Sequence, residues 1–381
     1  MNSTLIIFLY WLFFCLLVLL SRNVNKYYNL LPQIIVISFV VLFFTYDGLY
    51  SDWIAYRQHY SRAFEIGNTY FEKGFDFLLY ISNSLGSFYF VVLFTIFSFF
   101  LLLHAISKYN MFSKNLYFII IISLFNVFLP SYFGGIRQCI AVNFTFLSII
   151  YFVQIKNYKI GLIYLMLSIL THNSSVVQYV IFLSTIILYK IYQKYTMKRF
   201  VLTLLLISII IYFIMQLFFT DFLIYMDHGR RVGNNANLTS NETKDILIVM
   251  ERLFFLALNF LTLGKNKKEE TIDSITIKIS MLCIAGSLFY IATYSLARNL
   301  AGRMLIMYRH LDVYVLYVGM NILLAKLFPN LLINRIQAIP HQIGSRTKIS
   351  QLSLLICIGY CVLKYYMTIY STHLFDGNMP Y

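Results

Sequence analysis

Roughly a dozen stretches of this chain are apolar over about 20 residues, the length an α-helix needs to cross the hydrocarbon core of a bilayer. They centre on 4–20, 30–46, 86–106, 115–130, 136–153, 160–171, 175–189, 200–219, 246–263, 275–294, 304–325 and 351–370. Backbone inside hydrocarbon must satisfy its own N–H and C=O groups, which such runs do as helices. The expected fold class is all-α: a polytopic integral membrane protein with about 12 transmembrane helices, forming one membrane domain over residues 1–381. Charge content agrees. Only 12% of residues are charged, against about a quarter in soluble domains. A soluble enzyme, a disordered chain and a coiled coil are all excluded.

Three stretches depart from the pattern. The runs 160–171 and 175–189 are short, because Thr171, His172, Asn173, Ser174 and Ser175 interrupt them, and are expected to form a bent hairpin that does not cross fully. Residues 75–85 are apolar but too short to span, which fits an interfacial or re-entrant helix leading into the third span. The first run lacks a basic residue before it and a small-residue cleavage site, so a retained helix is expected there rather than a signal peptide.

Lys and Arg in short loops set orientation. With the N-terminus outside, 18 of the 30 positive residues fall in inner loops, and every inner loop holds at least two. An even helix count then puts both termini outside. The other 12 positives lie at the outer face, and nine of them are arginine: Arg57, Arg62, Arg137, Arg230, Arg231, Arg252, Arg298, Arg303 and Arg309. Only four of the 18 inner positives are arginine. Outer arginine works against the topology rule, so another task is implied. A planar guanidinium grips phosphate or carboxylate through paired hydrogen bonds; pairing with outer carboxylates is the plainer alternative for any one of them.

Two outer loops are long, about 47–75 and 220–245; the second is polar and suited to covering a site. The five cysteines lie in apolar runs without a CxxC pair and read as buried apolar residues. All 15 acidic residues can be placed outside the hydrocarbon centre, which weighs against a proton-coupled carrier. Glu251 comes nearest to it and is expected in an interfacial pair with Arg252. No hydrolase, nucleotide-binding or metal-ligand pattern appears, so no metal and no cofactor are expected.

Three constellations could carry chemistry. Arg137 and Gln138 follow Gly134-Gly135 at the outer start of the fifth span. An arginine in the first turn of a helix, beside free N–H groups, concentrates positive potential suited to phosphate; a snorkelling arginine is the alternative. His172 lies in the polar break Thr171 to Ser175, where an imidazole can exchange a proton near neutral pH, or simply cap a helix. Arg298, Arg303 and Arg309 bracket the outer start of the eleventh span, with Arg309 facing a cavity or a carboxylate such as Asp312. Outer Tyr56, Tyr60 and Tyr70 could stack on sugars.

Taken together, Asp52-Trp53 with Tyr56, Phe71-Glu72-Lys73-Gly74-Phe75 with Leu78, Arg137-Gln138 with Ala141, Ser168 with His172 and Ser174, and Gly302-Arg303 resemble the motif series of the EpsG/Wzy-type bacterial polysaccharide polymerases. The motifs run in family order over about residues 45–310, with Lys73 where the family would have proline. The resemblance implies a helical architecture like that of the C-type lipid-sugar glycosyltransferases. It also implies an active face outside the cytoplasmic membrane, where undecaprenyl-pyrophosphate-linked oligosaccharide units are joined into O-antigen, capsule or exopolysaccharide. On this reading Arg57, Arg137, Gln138, Arg298, Arg303 and Arg309 bind substrate, and His172, Glu72 or Asp52 is the general base. The implied partners are the lipid-linked oligosaccharides, the bilayer and a chain-length regulator protein, with no nucleic acid. An O-antigen ligase-like transferase would share the donor, and a flippase of lipid-linked oligosaccharide is the alternative from another class.

Overall fold

The computed structural model describes residues 51–61, 71–108, 135–227, 242–269, 274–294, 298–328 and 348–372. The expected spans 4–20, 30–46 and 115–130 lie outside these, as does most of the 220–245 loop. The described residues are helical throughout, with short connections and no strand. Eleven α-helices are described: α1 Ser51–Ser61, α2 Lys73–Ser84, α3 Tyr89–Lys108, α4 Ile136–Ile150, α5 Tyr158–Thr171, α6 Ser174–Lys194, α7 Met197–Asp227, α8 Glu242–Glu269, α9 Ser274–Tyr294, α10 Arg298–Leu327 and α11 Lys348–Thr372. A π-helical turn, Tyr151–Ile155, continues α4. Six helices among the described residues are long and apolar enough to cross a membrane: α3, α4, α6, α7, α8 and α9. The protein is thus an all-helical membrane protein.

The chain divides into two compact units, one of Met1–Ser175 with Ile358–Tyr381, the other of Val176–Cys357. In the first, α4 packs along α5 and α3, and α2 lies against α5, α1 and α3. Its interior is stitched by hydroxyls, as expected where helices meet without a hydrophobic drive between them. Thr145 and Ser168 share a hydrogen bond of 2.6 Å, Ser168 Oγ donates to the Ala141 carbonyl at 3.0 Å, and Asn143 Nδ2 donates to Ser98 Oγ at 2.9 Å. In the second unit, α9 packs on α10, α8 and α7, and α8 on α10. Gly319 lets Leu258 pack against α10, and Gly286 lets the Tyr308 ring lie on α9.

Several expectations need correction. The helix after the polar break is not short: α6 runs 21 residues to Lys194. The polar residues of its last turns extend it because Tyr192 Oη donates to the Leu263 carbonyl at 3.0 Å, while lysines keep their amines outward on apolar stems. By contrast α5, at 14 residues, is short as expected. The loop read over 47–75 contains α1 and the start of α2, and the 220–245 loop is narrowed by α7 running to Asp227 and α8 starting at Glu242.

Not every acidic residue stands clear of the helix centres. Asp312 sits midway along the 30-residue α10 and is buried. It is paired to Arg252, with Nη1–Oδ1 at 3.0 Å and Nη2–Oδ2 at 2.6 Å. Arg252 is therefore not an outer-surface cation: its side chain is 1% exposed, and Glu251 lies at 3.6 Å as a second, more distant partner. The Arg309 side chain, expected to face a cavity or a carboxylate such as Asp312, lies outside the described residues. Cys139, Cys283, Cys357 and Cys361 are buried and unbridged.

Candidate functional site

Glu72 is the N-cap of α2, in an extended conformation that turns its side chain away from its own helix. Two features fix it there. Asp76, in the first turn of α2, accepts from the Phe71 N–H through both carboxylate oxygens at 3.2 Å. Gly74 lies against the Leu170 backbone: a Cβ built on it would stand 2.8 Å from the Leu170 carbonyl oxygen. Only glycine permits so close an approach, and this contact brings the start of α2 to the end of α5. There α5 stops at Thr171, and His172 turns extended (φ −156°, ψ 126°) before α6 begins at Ser174.

The third contributor is the first turn of α4. Gly135 caps it, and Arg137 follows within that turn. Arg137 Nη1 donates to Glu72 Oε2 at 2.6 Å, a short charge-assisted bond. Its Nε lies 3.5 Å from Tyr56 Oη, and its guanidinium sits 4.4 Å from the centroid of Phe71, with Tyr56 and Phe75 near 6 Å. These rings contact one another edge-on and form a rigid aromatic wall beneath the cation. Arg137 Nη2 has no hydrogen-bond partner among the described residues, and the side chain is 23% exposed, the most open of the three.

The other oxygen of Glu72 faces the polar break. Oε1 accepts from the Asn173 N–H at 3.3 Å and lies 3.5 Å from His172 Nδ1. That nitrogen also lies 3.2 Å from the Ser174 N–H. His172 is buried, and Ser174 holds a buried hydroxyl without a partner among the described residues. Burial pushes the Glu72 carboxyl upward, but His172, Arg137 and the backbone N–H groups outweigh it and leave its pKa below the ordinary carboxylate value. Glu72 is an anion here, engaged through both oxygens.

The structure thus brings together Glu72, Arg137 and His172 on three helix ends, with Arg137 lying 65 residues and His172 100 residues after Glu72 in sequence. Gln138, next to Arg137, is buried within α4. Arg57 lies on α1 but points elsewhere: it is exposed, and its guanidinium is 5.9 Å from the Phe88 centroid. The Asp52 side chain lies outside the described residues, as do those of Arg298, Arg303 and Arg309, whose backbone opens α10 in the second unit. Tyr56 is buried against Arg137, which removes it from the expected sugar-stacking role; Tyr60 is half-buried against Phe88, and Tyr70 lies outside the described residues. Sequence reasoning missed Phe71 and Phe75 as the wall under Arg137, and Asn173 as a donor to Glu72. The aromatic pair flanking Glu72-Lys73-Gly74 was the available signal. Among the described residues no three His, Cys, Asp or Glu side chains stand where they could hold a metal ion.

The comparisons with known proteins agree with this set of motifs. No curated protein and no solved structure matches the chain. A family profile does, over residues 28–381, nearly the whole chain and all of the site just described. The protein belongs to the EpsG family.

Proposed function

We propose that the protein polymerises undecaprenyl-pyrophosphate-linked oligosaccharide repeat units into O-antigen, capsule or exopolysaccharide, on the outer face of a bacterial cytoplasmic membrane. The observation that carries this reading is a buried Glu72 holding Arg137 and His172 side by side, with Arg137 Nη2 left over. Membership of the EpsG family supports it.

The reaction poses two demands. A hydroxyl of the acceptor sugar attacks the anomeric carbon of the donor glycan; a new C–O bond forms as the bond to the lipid pyrophosphate breaks, and the pyrophosphate leaves with the electron pair. The hydroxyl proton must go to a base. Arg137 serves the first demand, since an oriented guanidinium stabilises charge that grows on the leaving group. His172 serves the second as proton acceptor through Nε2 in the tautomer whose hydrogen sits on Nδ1 and is directed at Glu72 Oε1, 3.5 Å away; in the other tautomer Nδ1 accepts from the Ser174 N–H and Nε2 carries the hydrogen. Glu72 is a weak base in this setting, being held as an anion below the usual carboxylate range. Its role is to orient its two neighbours and keep Arg137 in place against the aromatic wall. Gln138, Arg57, Arg298, Arg303 and Arg309 supply further contacts to the two lipid-linked substrates, and Asp52 is a second candidate for the general base. A chain-length regulator is the expected protein partner.

The test is the size distribution of surface glycan in cells that lack the gene and carry it back as wild type or Arg137→Lys. Loss of long chains, with single units still on their lipid or core acceptor, marks polymerase failure. Arg137→Lys restores less than about a hundredth of activity at normal membrane levels, because a lysine cannot hold Glu72 and a phosphate oxygen in one plane. Long chains in the deletion strain refute polymerisation. Loss of every unit from the acceptor points instead to a ligase or flippase.

A further inference from the structure

In the second unit a shallow apolar groove has Lys198 in its wall, with Arg199 the next residue in sequence. Helix α6 ends at Lys194, and α7 begins at Met197. Tyr192 packs edge-on against Phe200 of α7, with centroids 5.5 Å apart, and its hydroxyl bonds Leu263 O and Asn266 Nδ2 of α8, each at 3.0 Å. Lys267 Nζ donates to the Gln193 carbonyl at 3.2 Å. These contacts tie three helix ends together, and Lys190, Lys194, Lys198, Arg199 and Lys267 are all exposed there. The nearest acids in sequence are Glu269, Glu270 and Asp273, which follow the last described side chain of α8.

The cations are not equivalent. Lys267 lies 4.7 Å from the Tyr192 centroid and Lys194 lies 5.6 Å from that of Tyr195. The side chains of Lys198 and Arg199 make no hydrogen bond, ion pair or ring contact among the described residues; the Arg199 carbonyl accepts from Thr203 Oγ1 at 2.8 Å. Lys198 stands in the wall of a shallow groove otherwise lined by Met197, Val201, Leu202 and Leu205, one face of α7 at helical spacing. Protein covers little of this helix: 11% of its Met197–Ile214 stretch is buried, against 72% of Ser274–Thr293 in α9.

An apolar trough with Lys198 in its wall and Arg199 next to it in sequence, neither side chain paired among the described residues, fits a ligand with an alkyl chain that ends in an anion. A zwitterionic lipid covers the trough but leaves the charges unneutralised. We propose that this face of α7 binds an anionic phospholipid, its acyl chain along Val201, Leu202 and Leu205 and its phosphate against Lys198 and Arg199. The site is independent of the polymerase reading and would stand without it.

The experiment uses the full chain in neutral detergent with equimolar phosphatidylglycerol and phosphatidylcholine of matched chains, and reads retained lipid by native mass spectrometry. Phosphatidylglycerol should be retained over phosphatidylcholine, and the ratio should fall about fivefold for each of Lys198→Gln and Arg199→Gln. Lys159→Gln, at an exposed lysine of α5, should leave it unchanged. Val201→Trp, which fills the groove from a surface position, should reduce retention of both lipids. Equal retention by the wild type, an unchanged ratio in Lys198→Gln, or an equal fall in Lys159→Gln would overturn the site. Displacement of the lipid by inorganic phosphate would reduce it to an anion site and overturn the lipid assignment.

Discussion

Gly74 touches the Leu170 backbone so closely that a side chain there must move one helix off the other: a built Cβ meets Leu170 Cβ and O at 2.8 Å and C at 2.9 Å. The contact joins the second residue of α2 to the last-but-one residue of α5, where Glu72 and His172 meet. Gly74→Ala is expected to cost about 1–3 kcal/mol in stability. It should also cost far more than that in glycan polymerisation, since Glu72 is drawn away from Asn173 and His172. Gly264→Ala is the control, at a helical glycine with open space around it; it should be neutral or stabilise by up to about 1 kcal/mol. Equal behaviour of the two variants in thermal unfolding and in glycan profile would remove Gly74 from the site's framework.

Much of this was legible in the sequence. Arginine after a Gly-Gly pair, histidine in a polar break and glutamate before Gly-Phe are local signals, and those three residues converge. What local signals cannot show is how a side chain is spent. Tyr56 is polar at its tip and looked like a sugar platform, yet its ring is used in packing under Arg137. Asp312 and Arg252 are 60 residues apart and each looked interfacial on its own helix, yet together they cross between helices. Pairing of this kind depends on helix register and rotation, to which hydropathy is blind.

The ionisation of Glu72 gives a prediction in pH. Its folded pKa lies below the ordinary 4.5, so the anion's contribution to stability is complete above that value and is lost as pH falls through the lowered one. The difference in unfolding temperature between wild type and Glu72→Gln should therefore stay constant from pH 8 to about pH 5 and shrink only in more acidic buffer. At neutral pH it should correspond to about 1.5–3 kcal/mol, the usual worth of a hydrogen bond to a charged group. A difference that already shrinks between pH 7 and pH 6 would show that Glu72 is held by something other than an anion's contacts.

Orientation can be read with a membrane-impermeant thiol reagent. The described native cysteines are buried, and with Cys15→Ser as the background the label reports the engineered positions. Ser61→Cys, at the exposed end of α1, is expected to react from outside in intact cells, and Lys267→Cys, exposed near the end of α8, only after lysis. The expectation rests on the lysine-rich inner loops. The reverse pattern would place the Glu72–Arg137–His172 cluster's surroundings on the cytoplasmic side and remove the basis for an outward-facing polymerase.

The Arg252–Asp312 pair separates a structural charge from a catalytic one. Both side chains are nearly inaccessible, at 1% and 3% exposure, and the guanidinium also lies 5.0 Å from the Phe255 centroid. Each ion was stripped of water at a cost that its partner roughly offsets, so the two are worth little as a pair but much to one another. Arg252→Met alone removes the two-pronged partner of a buried carboxylate and should cost about 3–5 kcal/mol, and Asp312→Leu alone should cost a similar amount. The double variant Arg252→Met with Asp312→Leu should recover most of that loss, because neither charge remains to be desolvated. Thermal unfolding of the three purified variants measures the coupling. The glycan profile supplies the decisive second reading: a pair that only joins α8 to α10 predicts that the double variant polymerises normally. A stable double variant that makes only single units would instead assign the pair to the chemistry.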